Sequence, residues 1–220
     1  MAEEVGVDEH RLYEWLPKEE LDREREIFIE KNKGQFSNFF QTNEHFADLN
    51  PELKDTGAEL VTRFFFGVHM AYRRFGFKHP IYKITYDTGE RSDYDGIAFH
   101  DESNEYVAKV KFLKRVLEIT KEKGQCLIEG AGIKEMIPAG DFFEIGGIEE
   151  AAHLMFYNEK GHLGEKPVAE ADEEYKYYTS EMESRALKWK LAYVRRYMPQ
   201  YYDSLKQTSE KVREIRLGST

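Results

Sequence analysis

Two glutamates and a histidine lie close together in Gly146–His162, which reads GGIEEAAHLMFYNEKGH. Glu149 and His153 are four residues apart, and Glu150 is three residues before His153. On a helix this spacing places the three side chains on one face. The segment is one residue away from HExxH, in which two histidines hold zinc and the glutamate activates a bound water. Because zinc also accepts carboxylate oxygen, Glu149 and His153 are candidate metal ligands, and Glu150 is a candidate general base.

A third candidate ligand lies in a later segment, EMESRALKWKLAYVRRYMP, whose spacing predicts a helix. The predicted apolar stripe of that helix comprises Leu187, Leu191, Val194 and Met198. Glu183 is four residues before Leu187 and therefore belongs to this stripe. A carboxylate that faces a core is unfavourable unless a counter-charge or a metal binds it. We therefore expect Glu183 to share one metal ion with Glu149 and His153.

These two segments, in this order, resemble the minimal zincin-like metallopeptidases, and in particular the ImmA/IrrE-like gluzincins found on mobile elements and phages. That family joins an HExxH helix to a later helix with an acidic residue, a small residue three positions on, and often Met-Pro at its end. The matching residues here are Glu183, Ala186 and Met198-Pro199. The segment GIAFHDESNEYVAKVK is similar to the strand pair that precedes the active-site helix. The resemblance covers roughly residues 80–199, and it departs from the family at Glu149, where the family has histidine.

The resemblance implies an α+β fold with a small antiparallel or mixed sheet, an active-site helix and a third-ligand helix. It also implies a metal-dependent hydrolase that acts on a peptide or a related amide, with Glu149, His153 and Glu183 as ligands and Glu150 as base. Zinc is the expected metal, and the two carboxylates also suit manganese or iron. The alternative is a catalytically inactive scaffold that regulates a protein partner for a phage or plasmid. Exposed aromatic residues such as Tyr201 and Tyr202 would suit such a partner.

The order of predicted elements agrees with an α+β domain. Residues 1–50 are expected to form a helical arm, and residues 51–220 the zincin-like domain. Within the domain, a helix is predicted behind Thr56, with an apolar stripe of Val61, Phe64, Phe65, Val68, Tyr72 and Phe75. Short strands are predicted in residues 80–111, and a loop is predicted later at AGIKEMIPAGD. Two helices are then predicted, from Glu144 to about Asn158 and from Thr179 or Ser180 to about Met198.

The charge and composition of the chain limit which partners and which cellular location are expected. The net charge of −10 argues against general binding to nucleic acid, although Lys188, Lys190, Arg195 and Arg196 form a basic group on one late helix. No apolar run reaches the roughly 20 residues of a membrane span. The single cysteine, Cys126, fits a reducing compartment, so a cytoplasmic location is predicted.

Other kinds of site have less support in the sequence. Glu150 and His153 also have the ExxH spacing of ferritin-like di-iron bundles, but the predicted strands in the middle of the chain fit a four-helix bundle poorly. Cys126 lies in the apolar run CLI, which favours a core residue over a nucleophile. The sequence contains no P-loop, no GxGxxG and no GxSxG, so nucleotide binding and serine hydrolysis are not indicated.

Overall fold

The computed structural model describes residues 15–75, 81–87, 107–113, 117, 127–130, 133–160 and 173–207. Four long helices dominate these ranges: α1 (Lys18–Thr42), α2 (Pro51–Phe75), α3 (Ala139–Lys160) and α4 (Glu173–Tyr197). Short 3-10 helices follow α1 at Glu44–Phe46 and α4 at Pro199–Tyr201. The strands in the same ranges are β1 (Ile81–Asp87), β2 (Val107–Leu113), β3 (Leu127–Gly130) and β4 (Ile133–Pro138).

The helices α1 and α2 form an antiparallel pair with an aromatic interface. The buried residues of α1 recur every one or two turns and are Leu21, Phe28, Phe36 and Phe40. Phe28 packs edge-on against Phe66, and Phe36 packs against Phe65. Between the two helices, the Asn50 side chain accepts a hydrogen bond from the backbone N–H of Leu53 at 2.9 Å, which caps α2 one residue before Pro51.

The helices α2 and α3 approach closely at Gly67 and Gly147. A Cβ atom added to Gly67 would collide with the backbone oxygen of Glu144, and one added to Gly147 would collide with the backbone oxygen of Phe64. Two glycines therefore let the backbones touch, and they bring Glu144 to the centre of the bundle. The predicted apolar stripe of α2 is confirmed at Val61, Phe64, Phe65, Val68 and Tyr72, which are all buried. The side chain of Phe75, its last predicted member, lies outside the described residues.

The helix α4 packs antiparallel to α3. Lys190 lies beside Glu149, and three residues later Tyr193 lies beside Glu144, which is earlier in α3. In α4, Ala186, Trp189 and Val194 are buried, and Met198, which follows the helix, is buried as well. The predicted stripe is therefore only partly correct, because Leu187 and Leu191 are partly buried. Ahead of α1, Trp15 packs edge-on against Tyr193, and the Tyr197 hydroxyl donates to the carbonyl of Leu16 at 2.7 Å. The chain ahead of α1 is thereby attached to the end of α4.

The predicted α+β fold, with an antiparallel or mixed sheet, is wrong. The described part of the chain is mostly helical, and the core lies between helices rather than against a sheet. The strands of that part form two separate pairs, β1 with β2 and β3 with β4. β1 and β2 are parallel, whereas the sequence predicted an antiparallel arrangement. A short apolar run does not show which other strand it will pair with. The sequence pattern therefore predicted a larger sheet than the described strands form.

Several predicted boundaries also change. The segment AGIKEMIPAGD was predicted as a loop, but it contains β4 and the first turn of α3. The helix α3 begins at Ala139 rather than Glu144, and α4 begins at Glu173 rather than Thr179 or Ser180. Residues 88–106, which include most of the predicted hairpin, and Cys126 lie outside the described residues. Among the described helices, none has the length and apolar character needed to cross a membrane.

Candidate functional site

The three residues predicted from the EExxH segment share one side of α3, as their spacing requires. Glu149, Glu150 and His153 are each partly buried. The Oε2 atom of Glu150 lies 3.4 Å from Nδ1 of His153, within the same turn of helix. A carboxylate beside one ring nitrogen orients the imidazole and fixes which nitrogen carries the proton. Glu150 is therefore placed to position His153.

Glu149 faces a different neighbour. Its Oε1 atom lies 2.5 Å from the ammonium nitrogen of Lys190 on α4, and the Lys190 side chain is almost fully buried. The sequence placed Lys190 in an exposed basic group, and this is wrong, although Lys188, Arg195 and Arg196 are exposed as expected. A cation bound by Glu149 at this position would have to displace the Lys190 ammonium.

The third predicted ligand, Glu183, belongs to α4, the helix that packs against α3. Its side chain lies outside the described residues. Ala186, three residues later, is fully buried, and the Arg185 guanidinium lies over the ring of Phe156. Within the described part of the chain, no group of three or more His, Cys, Asp or Glu side chains is arranged to hold a metal. Glu149, His153 and Glu183 therefore remain predicted ligands.

A second charged cluster, which the sequence analysis missed, occupies the centre of the helices. The Glu144 carboxylate of α3 is fully buried. Arg25 of α1 donates to both of its oxygens, from Nη2 at 2.9 Å and from Nε at 3.0 Å. Nε of Arg63 on α2 forms an ion pair with it at 2.6 Å, and the Tyr193 hydroxyl of α4 donates to it. All four helices thus contribute a side chain to one point, which we term the Glu144 cluster.

Two further carboxylates complete the Glu144 cluster at its edge. Asp22 accepts from Nη1 of Arg25 at 2.6 Å, and Asp141 accepts from Nη2 of Arg63 at 2.7 Å. Each arginine therefore bridges two acidic residues, so the cluster contains three carboxylates and two guanidinium groups. Paired and hydrogen-bonded in this way, the charges can remain inside an apolar core.

Burial changes the acid–base behaviour of the Glu144 cluster. Burial raises the pKa of Tyr193 well above its ordinary value, and the nearby negative charge of Glu144 raises it further. Burial also raises the pKa of Asp141, although the Arg63 guanidinium opposes that rise. Burial lowers the pKa of Arg25, but its bonds to Glu144 more than compensate and leave the pKa above normal. Tyr193 is therefore a neutral hydrogen-bond donor at physiological pH.

A signal in the sequence could have identified both missed residues. Glu144 is four residues before buried Ile148, and Lys190 is four residues after buried Ala186. The same spacing argument that selected Glu183 therefore applies to both. The sequence could not show which opposite charge each would meet, because those partners lie on other helices. Arg25 and Glu144, for example, are separated by 119 residues.

The comparisons with known proteins give no independent support for a family. No protein-family model matches this chain, and no curated protein or solved structure is detectably similar to it. The likeness to zincin-like metallopeptidases consequently rests on the sequence segments alone.

Proposed function

We propose that this chain acts as a non-catalytic helical protein that binds and regulates a protein partner. The observation that carries the proposal is the ion pair between Glu149 and Lys190. A carboxylate already neutralised by a buried ammonium is a poor ligand for a second cation. Removing Glu149 from the pair would also leave the Lys190 charge in a site with little access to water, which costs about 3–5 kcal/mol.

The outer surface of α1 supports a protein partner. Ile27 is 49% exposed, and exposed Arg23, Glu26, Glu30 and Lys31 surround it along the helix. An apolar centre with a polar rim is the usual arrangement of a protein–protein interface. The aromatic anchors expected from the sequence are less suitable, because Tyr201 is buried and Tyr202 is partly buried. The proposal includes a cytoplasmic location and an origin on a mobile element or phage, and both rest on the sequence alone.

The binding proposal is tested by quantitative affinity capture with matched variants. Ile27→Asp places a charge at the proposed anchor, and Met136→Asp does the same at an apolar residue of similar exposure, 42%. We expect one partner to be retained by the wild type and by Met136→Asp, and to fall at least tenfold with Ile27→Asp. Equal capture by all three chains would contradict a binding surface centred on Ile27.

A second candidate function is the metal-dependent hydrolase, and the contact between Glu150 and His153 favours it. Zinc, manganese or iron would supply Lewis-acid chemistry, but Glu149 does not fit such a metal while Lys190 holds it. This candidate therefore requires Lys190 to move away. Glu150→Gln separates the two functions. A hydrolase should retain its metal and lose peptide turnover in this variant, whereas a binding protein should show turnover in neither chain.

A further inference from the structure

The helix α1 meets α3 and α4 through side chains near its own beginning. Arg25 reaches Glu144, and Trp15, just ahead of the helix, packs on Tyr193 and Tyr197. The rest of α1 lies against α2, and only four residues of α1 are buried along its whole length. Much of the remaining helix surface is polar and exposed. Few buried apolar contacts per turn are typical of the least stable unit of a fold.

The charged residues of the Glu144 cluster fall into two sets, one on α1 and one on the other helices, and each set contains both acidic and basic groups. Without α1, Glu144 keeps the Arg63 ion pair and the Tyr193 hydrogen bond, and Arg63 also keeps Asp141. Arg25 keeps Asp22, which is on its own helix. Separation of α1 therefore leaves each charge of the cluster with a partner. An orphaned buried charge is the usual penalty for breaking such a cluster, and this arrangement avoids it.

We propose that α1 separates from the rest of the fold as one unit, while α2, α3 and α4 stay packed together. We term α1 the strap, the other three helices the body, and the Arg25–Glu144 contact that holds them together the latch. In the open form, the aromatic surface of α2 at Phe65 and Phe66 is uncovered. The strap is a property of the fold, and it does not depend on which function proposed above is correct.

Hydrogen exchange followed by mass spectrometry tests the strap on the full chain. Arg25→Met removes the latch, while Glu144 remains bound by Arg63 and Tyr193. We expect amides of residues 18–42 to exchange about 10- to 100-fold faster, the range for losing a hydrogen bond to a charged group. The exchange rates of α3 amides around Glu144 should change less than about threefold, because α3 belongs to a unit that stays closed when α1 opens. Equal acceleration in α1 and α3, or an unfolded variant, would overturn the proposal.

Arg63→Met provides the matched comparison, because Arg63 contacts the same carboxylate from within the body. Its loss also leaves Asp141 without its arginine, so exchange should accelerate in α2, α3 and α4 together, or the chain should fail to fold. The wild type supplies an independent check. With increasing urea, α1 should open at a lower concentration than α3. A single opening transition shared by both helices would overturn the proposal.

Discussion

Tyr193 donates its hydroxyl hydrogen to Glu144, and this bond joins the last long helix to the centre of the fold. The acceptor is the carboxylate that Arg25 and Arg63 approach from the first two helices. One acidic side chain thus links four helices that are far apart in sequence. Stability should consequently depend more on the Glu144 cluster than on any exposed ion pair.

Replacing Tyr193 by Phe should alter the response of stability to alkaline pH. The raised pKa of Tyr193 keeps the folded chain protonated after the unfolded chain has ionised. The unfolded state therefore binds fewer protons above about pH 10, and stability falls as pH rises. In urea unfolding above pH 10, Tyr193→Phe should lose stability less steeply, by about 1.4 kcal/mol per pH unit. Parallel pH curves for the two chains would contradict this assignment.

Glu144→Gln should strongly destabilise the fold. The neutral amide leaves Arg25 and Arg63 without their shared counter-charge inside the bundle, so we expect a loss of about 3–5 kcal/mol in urea unfolding. Asp22→Asn is the control, because Asp22 contacts Arg25 at the edge of the Glu144 cluster and is half exposed. Its loss should be below about 1 kcal/mol. Similar losses in the two variants would show that burial of Glu144 has little energetic consequence.

The glycines of α3 should differ sharply although they are adjacent. Gly147→Ala forces its new methyl against the backbone of Phe64, and backbone cannot move aside easily, so we expect a loss above about 2 kcal/mol. Gly146→Ala meets only the ring edge of Phe64, at 3.9 Å. It should stabilise α3 by up to about 1 kcal/mol through helix propensity. Thermal unfolding of both variants gives the comparison, and equal effects would refute close packing at Gly147.

The sequence predicted where helices form better than it predicted which residues of different helices contact one another. The period of apolar residues identified the stripe of α2 and placed Glu149, Glu150 and His153 together on one helix, because these relationships are local. Lys190 was assigned to an exposed group, since its charge outweighed its position four residues after Ala186. The pairing of Glu149 with Lys190 depends on how α3 and α4 pack, and 41 residues separate the two.

The α+β prediction failed for a related physical reason. Runs such as IYKITYD have strand propensity, and they do form strands, but propensity does not determine how strands combine. Within the described residues they form separate pairs, while the core lies mainly between the four long helices. The sequence also could not show which residues meet in the Glu144 cluster, because its members come from four separate helices.

Metal binding by the wild type and by Lys190→Met tests the central claim, that Lys190 rather than a metal ion neutralises Glu149. Each chain is dialysed against zinc, manganese or iron, and the bound metal is measured by elemental mass spectrometry. We expect no stoichiometric metal in the wild type. Lys190→Met frees Glu149 beside His153 and should bind zinc more tightly than the wild type. One equivalent of metal in the wild type, lost in Glu149→Ala and in His153→Ala, would contradict the claim.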